Sequence, residues 1–279
     1  MKLFFYRPEI LNFGDYLNAW LWPKIFPGLF DDNEEIIFVG IGTILDDRLP
    51  KHPQKIIFGS GIRFPNNPPK IDKKWDIRVL RGKLSARILN VDEKIAITDP
   101  AILVSLFWDK SLKTVYEFGY IPYFRSISPM WKIACKLVGI KYIDPRRSVE
   151  KCISEIANCK YIFSEAMHGA ILADTFRIPW LPIRSFNAFH EGEVHFFKWL
   201  DWCSSLDLPF EPKKLPIFWP INTFKNSIKN SIKLGYIVLN FIKMKNQKKF
   251  FLSNEKKFKR AIERYIETIE KFKTDYGIN

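Results

Sequence analysis

Short runs of β-branched and aromatic residues alternate with helical stretches along the chain, and no other feature constrains the fold as strongly. The runs are short enough to be buried strands, and they cover residues 3–6, 36–39, 55–58, 77–80, 95–97, 115–121, 140–143, 161–163 and 180–183. Residues 15–24, 83–89, 129–138, 149–157 and 170–176 have helical spacing. Because this alternation is typical of parallel sheets covered by helices, we predict an α/β fold.

Glycines follow three of the predicted strands in succession. Gly40 and Gly42 come after the second strand, Gly59 and Gly61 after the third, and Gly82 after the fourth. In open parallel sheets, ligands bind at the carboxyl ends of the strands, where glycine lets backbone amides approach an anion. These positions are therefore candidate ligand contacts, and tight turns are the alternative explanation.

The pattern along the chain indicates two βα lobes followed by a different C-terminal segment. With 279 residues and 47% apolar content, the chain can bury a large core, which excludes global disorder. A polar stretch at 108–114 predicts a lobe boundary, giving lobes at 1–110 and 111–208. Residues 209–279 begin with a connector punctuated by prolines, and a one-sided apolar pattern then predicts an amphipathic helix from near Asn254 to near Gly277.

Positive charge is concentrated in the C-terminal segment. The formal net charge is +14, and residues 213–279 contain 16 Lys and Arg but only 5 Asp and Glu, whereas residues 1–212 are almost neutral. A basic segment of this kind predicts contact with a polyanion, either a nucleic acid or an anionic lipid surface.

Several other classes of protein and site are disfavoured by what the sequence lacks. The four cysteines form no CxxC pair and have no histidine at zinc-site spacing, so we expect no metal. The N-terminal apolar run of four residues is too short for a signal peptide, and no stretch offers 18 consecutive apolar residues. We therefore expect a cytoplasmic protein that does not span the membrane.

The most informative local pattern surrounds His168. A predicted strand ends at Phe163 and a helix begins near His168, which puts Ser164, Glu165 and His168 in the turn above the sheet. Histidine titrates near neutrality and can act as a general acid, and a helix N-terminus favours bound anions. A histidine that only caps the turn is the alternative.

The stretch SEAMHGAILADTFRIPW at 164–180 resembles the signature of the polysaccharide pyruvyl transferase family, in the branch that adds ketal pyruvate to exopolysaccharide repeat units. Further matches to this family follow one another in order. They are NFGD at 12–15, GIGTIL at 40–45, FGSG at 58–61, RGKLS at 81–85, DPA at 99–101, GYIP at 119–122, KW at 198–199 and DW at 201–202. The resemblance extends over about residues 10–205 and leaves the last third of the chain uncovered.

This resemblance implies a fold, a reaction and a set of ligands. Members of the family are similar to GT-B glycosyltransferases, with two Rossmann-like lobes and a ligand cleft between them. The implied donor is phosphoenolpyruvate, the implied acceptor is a sugar on a lipid-linked oligosaccharide, and no organic cofactor is needed.

By the same resemblance, His168 is the general acid that protonates the methylene carbon of the enol. A carboxylate should then accept the proton of the attacking sugar hydroxyl, and Glu165 and Asp15 are the candidates. The candidate substrate-binding residues are Asn12, Gly14, Gly42, Gly61, Arg81, Tyr123, Arg125, Ser164, Gly169 and Arg184.

Two positions depart from the family pattern. Many relatives have Arg two residues before the histidine, where this chain has Ala166, and many have His where this chain has Tyr123. If those side chains hold phosphoenolpyruvate in relatives, the cation must come from elsewhere here, and the available arginines are Arg81, Arg125, Arg146 and Arg184. Asp99 is predicted to be a helix N-cap, with a position in the cleft as the alternative.

Two other functions remain open from the sequence. The same architecture would serve a nucleotide-sugar glycosyltransferase. A nucleic-acid-binding protein is disfavoured, because the charge is confined to the C-terminal segment and no recognised nucleic-acid module is present. We instead expect residues 213–279 to contact the anionic inner face of the plasma membrane, with Phe250, Phe251 and Leu252 inserted, or else to pack back across the lobes.

Overall fold

The computed structural model describes residues 1–109, 114–185, 188–220 and 222–278. Residues 110–113 of the predicted lobe boundary lie outside this part. The division into 1–110, 111–208 and 209–279 therefore stays a prediction.

Strands and helices alternate through most of the described chain. The strands are β1 (Lys2–Phe4), β2 (Ile36–Val39), β3 (Thr43–Leu45), β4 (Gln54–Phe58), β5 (Gly61–Ile62), β6 (Trp75–Val79), β7 (Tyr116–Ile121), β8 (Lys141–Tyr142), β9 (Cys159–Ser164), β10 (Trp180–Arg184) and β11 (Lys213–Lys214). The helices are α1 (Phe13–Ile25), α2 (Lys83–Ile88), α3 (Pro129–Leu137), α4 (Val149–Ala157), α5 (Met167–Thr175), α6 (Ala188–Ser205), α7 (Phe224–Lys245) and α8 (Glu255–Tyr276).

All pairings between these named strands are parallel, which confirms the predicted α/β class. One sheet has the order β1-β2-β4-β6, a second has the order β11-β10-β9-β7-β8, and β3 pairs with β5 in a small third sheet. Because parallel strands place their carboxyl ends at one edge of a sheet, the loops that follow these strands are the ones available to build a site.

One predicted strand is wrong. Residues 95–97 were expected to be extended, but Glu93–Ile95 form a 3₁₀ helix and only a single bridge joins Leu80 to Ala96. A second 3₁₀ helix covers Pro100–Leu106, and the Asp99 side chain caps it by accepting a hydrogen bond from the amide of Ala101 at 3.0 Å. The prediction that Asp99 is an N-cap is thus confirmed.

Residues from both larger sheets belong to a single hydrophobic cluster. In helix α1, Leu17, Leu21 and Trp22 are fully buried, and the Trp22 ring lies 4.8 Å from Phe38 and 5.5 Å from Phe58. Complete burial of each large side chain stabilises the fold by about 1.5–3 kcal/mol. This packing fixes α1, and with it the start of the helix, where Asn12 and Asp15 lie.

The C-terminal helices pack on both larger sheets. Phe241 of α7 lies 5.2 Å from Tyr120, while Phe272 of α8 lies 5.5 Å from Phe58. The predicted limits of α8 are confirmed, because Asn254 caps its first turn and Gly277 ends it with a φ of 61°.

The expected insertion of the rings at 250 and 251 into a membrane is not supported by their positions. Phe251 is buried and exchanges two backbone hydrogen bonds with Trp180, at 2.8 and 3.0 Å. The Phe250 ring packs 4.7 Å from Tyr161. Among the described residues, no helix is both long and apolar enough to cross a bilayer.

Candidate active site

A small cavity lies at the carboxyl ends of strands from both larger sheets. Its volume is about 90 Å³, well below the roughly 300–1,000 Å³ of pockets that hold drug-sized ligands. It is lined by Tyr6, Asn12, Phe13, Asp15, Gly42, Thr43, Ile44, Arg48, Arg63, Tyr123, Phe124, Arg125, Ala166, Met167, His168, Val194 and Lys198. The geometry therefore suits a small polar ligand.

The imidazole of His168 is held between two other residues at this cavity. Its Nε2 lies 3.6 Å from Oδ2 of Asp99, whose side chain is fully buried. On the other side, a Cβ built on Gly14 would lie 2.3 Å from His168 Nδ1, so only glycine leaves room for the ring. The side chain of His168 remains 11% exposed and lines the cavity. The N-terminal NFGD motif therefore helps to position the imidazole of His168.

Asp15 is the predicted catalytic carboxylate that lines the cavity. Its Oδ2 accepts a hydrogen bond from Asn12 Nδ2 at 2.8 Å, and both residues lie at the start of α1. A carboxylate in this position can accept a proton from a group bound near His168.

Glu165, the other predicted carboxylate, is buried and lies outside the residues that line the cavity. It accepts hydrogen bonds from the amides of Tyr123 and Ser185 and from the hydroxyls of Ser126 and Ser185, at 2.6–3.2 Å. Burial raises the pKa of Glu165, and the hydrogen bonds from Ser185 and Tyr123 oppose that rise. These contacts tie the loop after β7 to the end of β10.

Four cationic side chains line the cavity, against the single carboxylate of Asp15. Arg48 and Arg63 both approach Asp46, at 2.7 and 3.8 Å. Arg125 is exposed and forms no ion pair with any described residue. Lys198, from α6, lies over the Tyr123 ring at 5.0 Å. The excess of positive charge favours an anionic ligand.

Two helices begin at the same cavity. Asn12 and Phe13 belong to the start of α1, and Ala166, Met167 and His168 to the start of α5. Neither N-cap residue, Asn12 or Ala166, makes a side-chain capping bond within the described structure. Amide groups at helix starts carry partial positive charge and bind anions, so they add to the four cationic side chains.

Three of the four candidate arginines do not line this cavity, and one of them, Arg146, pairs with Asp144 at 2.8 Å. Arg81 is completely buried, pairs with Asp201 at 2.9 Å, and donates to the Thr43 hydroxyl at 2.6 Å. Arg184 lies at the end of β10, with its guanidinium 5.9 Å from the Phe196 ring. Arg125 is therefore the predicted arginine that lines the cavity, as Ala166 also does.

Three smaller predicted residues lie outside the residues that line the cavity and contact neighbouring protein groups instead. A Cβ on Gly61 would lie 2.3 Å from the Arg81 guanidinium, and one on Gly169 would lie 2.5 Å from the Ser164 hydroxyl. Ser164 itself donates a hydrogen bond to the carbonyl of Ala166 at 2.6 Å, which closes the turn before α5. Asn12, Asp15, Gly42, Tyr123, Arg125 and His168 are the predicted residues that do line the cavity.

Sequence reasoning missed Tyr6, Arg48 and Arg63, and it assigned no role to Lys198. Arg63 follows the Gly61-containing strand end, so the argument used for glycines after strands could have included it. Arg48 lies after β3, which is too short to recognise from periodicity. Among the described side chains, no cluster of His, Cys, Asp and Glu could hold a metal ion.

Comparisons with known proteins agree with the resemblance noted in the sequence. The sequence model of the polysaccharide pyruvyl transferase family matches residues 3–185. Succinoglycan biosynthesis protein ExoV from Rhizobium meliloti (strain 1021) is 37% identical over 221 residues, which cover 78% of this chain and 68% of that protein. An uncharacterized protein, L143, from Acanthamoeba polyphaga mimivirus is 26% identical over 137 residues, or 44% of this chain and 46% of that protein. No solved structure matches the chain significantly.

Proposed function

The chain belongs to the polysaccharide pyruvyl transferase family, and on that premise we propose that it transfers pyruvate from phosphoenolpyruvate to a sugar of an exopolysaccharide repeat unit as a ketal. The observation that carries this proposal is the cavity itself, where His168 lies among four cationic side chains and two helix starts. Phosphoenolpyruvate bears both a carboxylate and a phosphate, so it matches a small site of this charge.

The proposed reaction needs one proton donor and one proton acceptor. Protonated His168 gives its proton to the methylene carbon of phosphoenolpyruvate, which leaves C2 open to attack by a sugar hydroxyl. Asp15 accepts the proton of that hydroxyl as the first C–O bond forms. A second hydroxyl then displaces phosphate from C2, its proton leaves with the phosphate, and the ketal is complete. Phosphoenolpyruvate supplies both the transferred carbons and the leaving group, so this scheme uses no organic cofactor.

Arg125 is our candidate for the cation that relatives supply at the position of Ala166. Both residues line the cavity, and Arg125 has no described carboxylate partner that would compete with a ligand. A guanidinium can hold a carboxylate or phosphate through two parallel hydrogen bonds.

The acceptor sugar, on a lipid-linked oligosaccharide, would occupy an adjoining cavity of about 630 Å³. This second cavity shares Tyr6, Phe124 and Arg125 with the first, so a ligand in each would meet at those side chains. Its greater volume suits a sugar, and its aromatic rings offer flat apolar faces for one.

The test measures phosphate release and ketal formation together. Purified protein is incubated with phosphoenolpyruvate and a lipid extract from an exopolysaccharide-producing strain whose own pyruvyl transferase gene has been deleted. We expect phosphate release that depends on the extract, together with ketal-linked pyruvate on the product by mass spectrometry. Incorporation of sugar from a nucleotide sugar, with no reaction of phosphoenolpyruvate, would overturn the proposal in favour of a glycosyltransferase.

Arg125 and Arg184 offer a matched pair of variants for the donor site. Arg125→Met should raise the KM for phosphoenolpyruvate at least about tenfold, because a charge-assisted bidentate contact is worth about 1.5–3 kcal/mol. Arg184→Met removes the same charge outside the cavity and should leave that KM unchanged. Equal effects of the two variants would refute the assignment of Arg125.

A further inference from the structure

Helix α7 has two apolar faces, and the described part of the protein covers one of them. Ile237, Phe241 and Met244 are buried against the fold. The opposite face exposes large apolar side chains, with exposed fractions of 83% at Phe224 and 71% at Ile232. Its other exposed members are Ile228, Tyr236, Leu239 and Ile242.

The exposed apolar residues form a continuous stripe along α7. At about 100° per residue, positions 224, 228, 232, 236, 239 and 242 fall within an arc of about 120°. An apolar stripe of at least about 100° is what a helix usually turns toward a hydrophobic environment. We call these six residues the outer stripe.

Charge around the outer stripe is entirely positive. Residues 212–254 contain nine lysines and no aspartate or glutamate. By the same spacing, Lys225 and Lys243 lie within this arc near one side and Lys229 just beyond it. All three are exposed, and none of them forms an ion pair with any described residue. The charges of these three lysines are thus available to an anionic partner, whereas Lys249 of the same segment pairs with Glu211.

Helix α8 provides an internal comparison, because its apolar face is covered and its charges are mostly paired. Phe258, Tyr265 and Phe272 are buried against the fold. Lys257 pairs with Asp207, and Arg260 pairs with Glu263. Among the described residues, no part of the fold covers the outer stripe of α7, and no carboxylate pairs with Lys225, Lys229 or Lys243. Packing between described residues therefore does not explain the composition of this face.

We propose that the outer stripe of α7 docks on an anionic phospholipid surface, with the helix lying in the plane of the interface. Such helices insert apolar side chains between the headgroups while basic side chains meet lipid phosphates. A two-fold contact between two copies would instead bring unpaired lysines together without any acidic residue of the segment to offset them. Nucleic acid would leave the six apolar side chains without an apolar environment.

The neighbouring helix α3 also exposes apolar side chains next to basic ones. It exposes Ile133 and Leu137 beside Lys132 and Lys136. The ends of α3 and α7 are joined by a hydrogen bond of 2.8 Å from Lys245 Nζ to the carbonyl of Val138. The proposed contact thus includes a second basic helix that is fixed to the first.

Flotation with vesicles tests the proposal without any substrate, so its outcome is independent of the proposed reaction. The full chain is mixed with vesicles of equal parts phosphatidylglycerol and phosphatidylcholine, or of phosphatidylcholine alone. We expect it to float with the anionic vesicles only, and to be released by high salt.

The triple variant Phe224→Ser, Ile232→Ser, Leu239→Ser should stay in the bottom fraction. Lys225→Gln with Lys229→Gln should lower partition at least about tenfold.

A matched triple variant controls for the loss of exposed apolar surface. Leu106→Ser, Val115→Ser and Ile266→Ser also replace exposed residues, but none lies on α7, and this variant should float like the unchanged protein. All variants should keep the same unfolding midpoint. The proposal is overturned if the outer-stripe variant floats normally, or if sedimentation shows that it dissociates a dimer while vesicle binding is unchanged. Absence of flotation of the unchanged protein would overturn it as well.

Discussion

Replacing Gly14 with alanine should disable the active site while leaving helix α1 intact. The added Cβ would lie 2.3 Å from His168 Nδ1 and 2.8 Å from its Cγ, whereas ordinary contacts begin at 3.4 Å. Restoring ordinary contact therefore requires a shift of the ring by roughly 1 Å, and a misplacement of that size can lower turnover about 10²-fold. Alanine is a better helix former than glycine by about 1 kcal/mol, so α1 itself should not be weakened.

The assay is phosphate release from phosphoenolpyruvate in the presence of acceptor, with kcat and KM measured separately. We expect kcat to fall about 10²-fold, equivalent to about 2.7 kcal/mol in activation free energy, with little change in the unfolding midpoint. Gly235→Ala is the control, because nothing lies within 4 Å of its added Cβ, and it should turn over normally.

A double-mutant cycle shows whether the effect passes through the histidine. His168→Ala should lower kcat by about 10²–10⁴-fold, and adding Gly14→Ala to it should cost nothing further in the residual rate, because the ring it displaces is already gone. If Gly14→Ala retains normal turnover, or if the two changes act additively, His168 is not the general acid that we propose.

Three further outcomes follow from buried polar groups. Asp99→Asn should keep the helix cap, since Asn caps as well as Asp, and should therefore keep the unfolding midpoint. It should lower kcat at least about tenfold because the carboxylate facing His168 is lost, and normal turnover would show that this carboxylate does not assist His168. Arg81→Met should reduce the free energy of unfolding by about 3–5 kcal/mol in urea titration, because it leaves Asp201 buried without its partner, and a loss below 1 kcal/mol would contradict this. Burial raises the pKa of Cys152 and Cys159 to about 12 and also raises the pKa of the other two cysteines. The folded protein should therefore be inert to thiol reagents at pH 8, and all four cysteines should react after unfolding. Rapid labelling of the native protein would contradict this prediction.

Much of the site was recognisable because its motifs are local. The strand that ends near Phe163, the helix that follows it and His168 at the junction could be predicted, since residue periodicity and turn chemistry act over a few positions. Asp99 was predicted as a cap for the same reason. Its second contact, with a histidine 69 positions later in the chain, depends on how two elements pack, and no local pattern contains that distance.

The arginines show most clearly what could not be predicted from the sequence. Arg81 and Arg125 both follow strands, and from the sequence either could have held the donor. The packing of α6 buries Asp201 against Arg81 and uses that charge internally, whereas Arg125 remains at the cavity without a described partner. A charged side chain becomes a binding group or a structural one according to which opposite charge the fold brings to it.

The amino-acid sequence by itself determined the family, the α/β class and the position of the histidine at a strand end, because each depends on residue type and short-range spacing. The tertiary structure decided which charges meet at the cavity and which apolar face of α7 is covered. Both outcomes require segments distant along the chain to come into contact, and only packing of the whole chain selects those contacts.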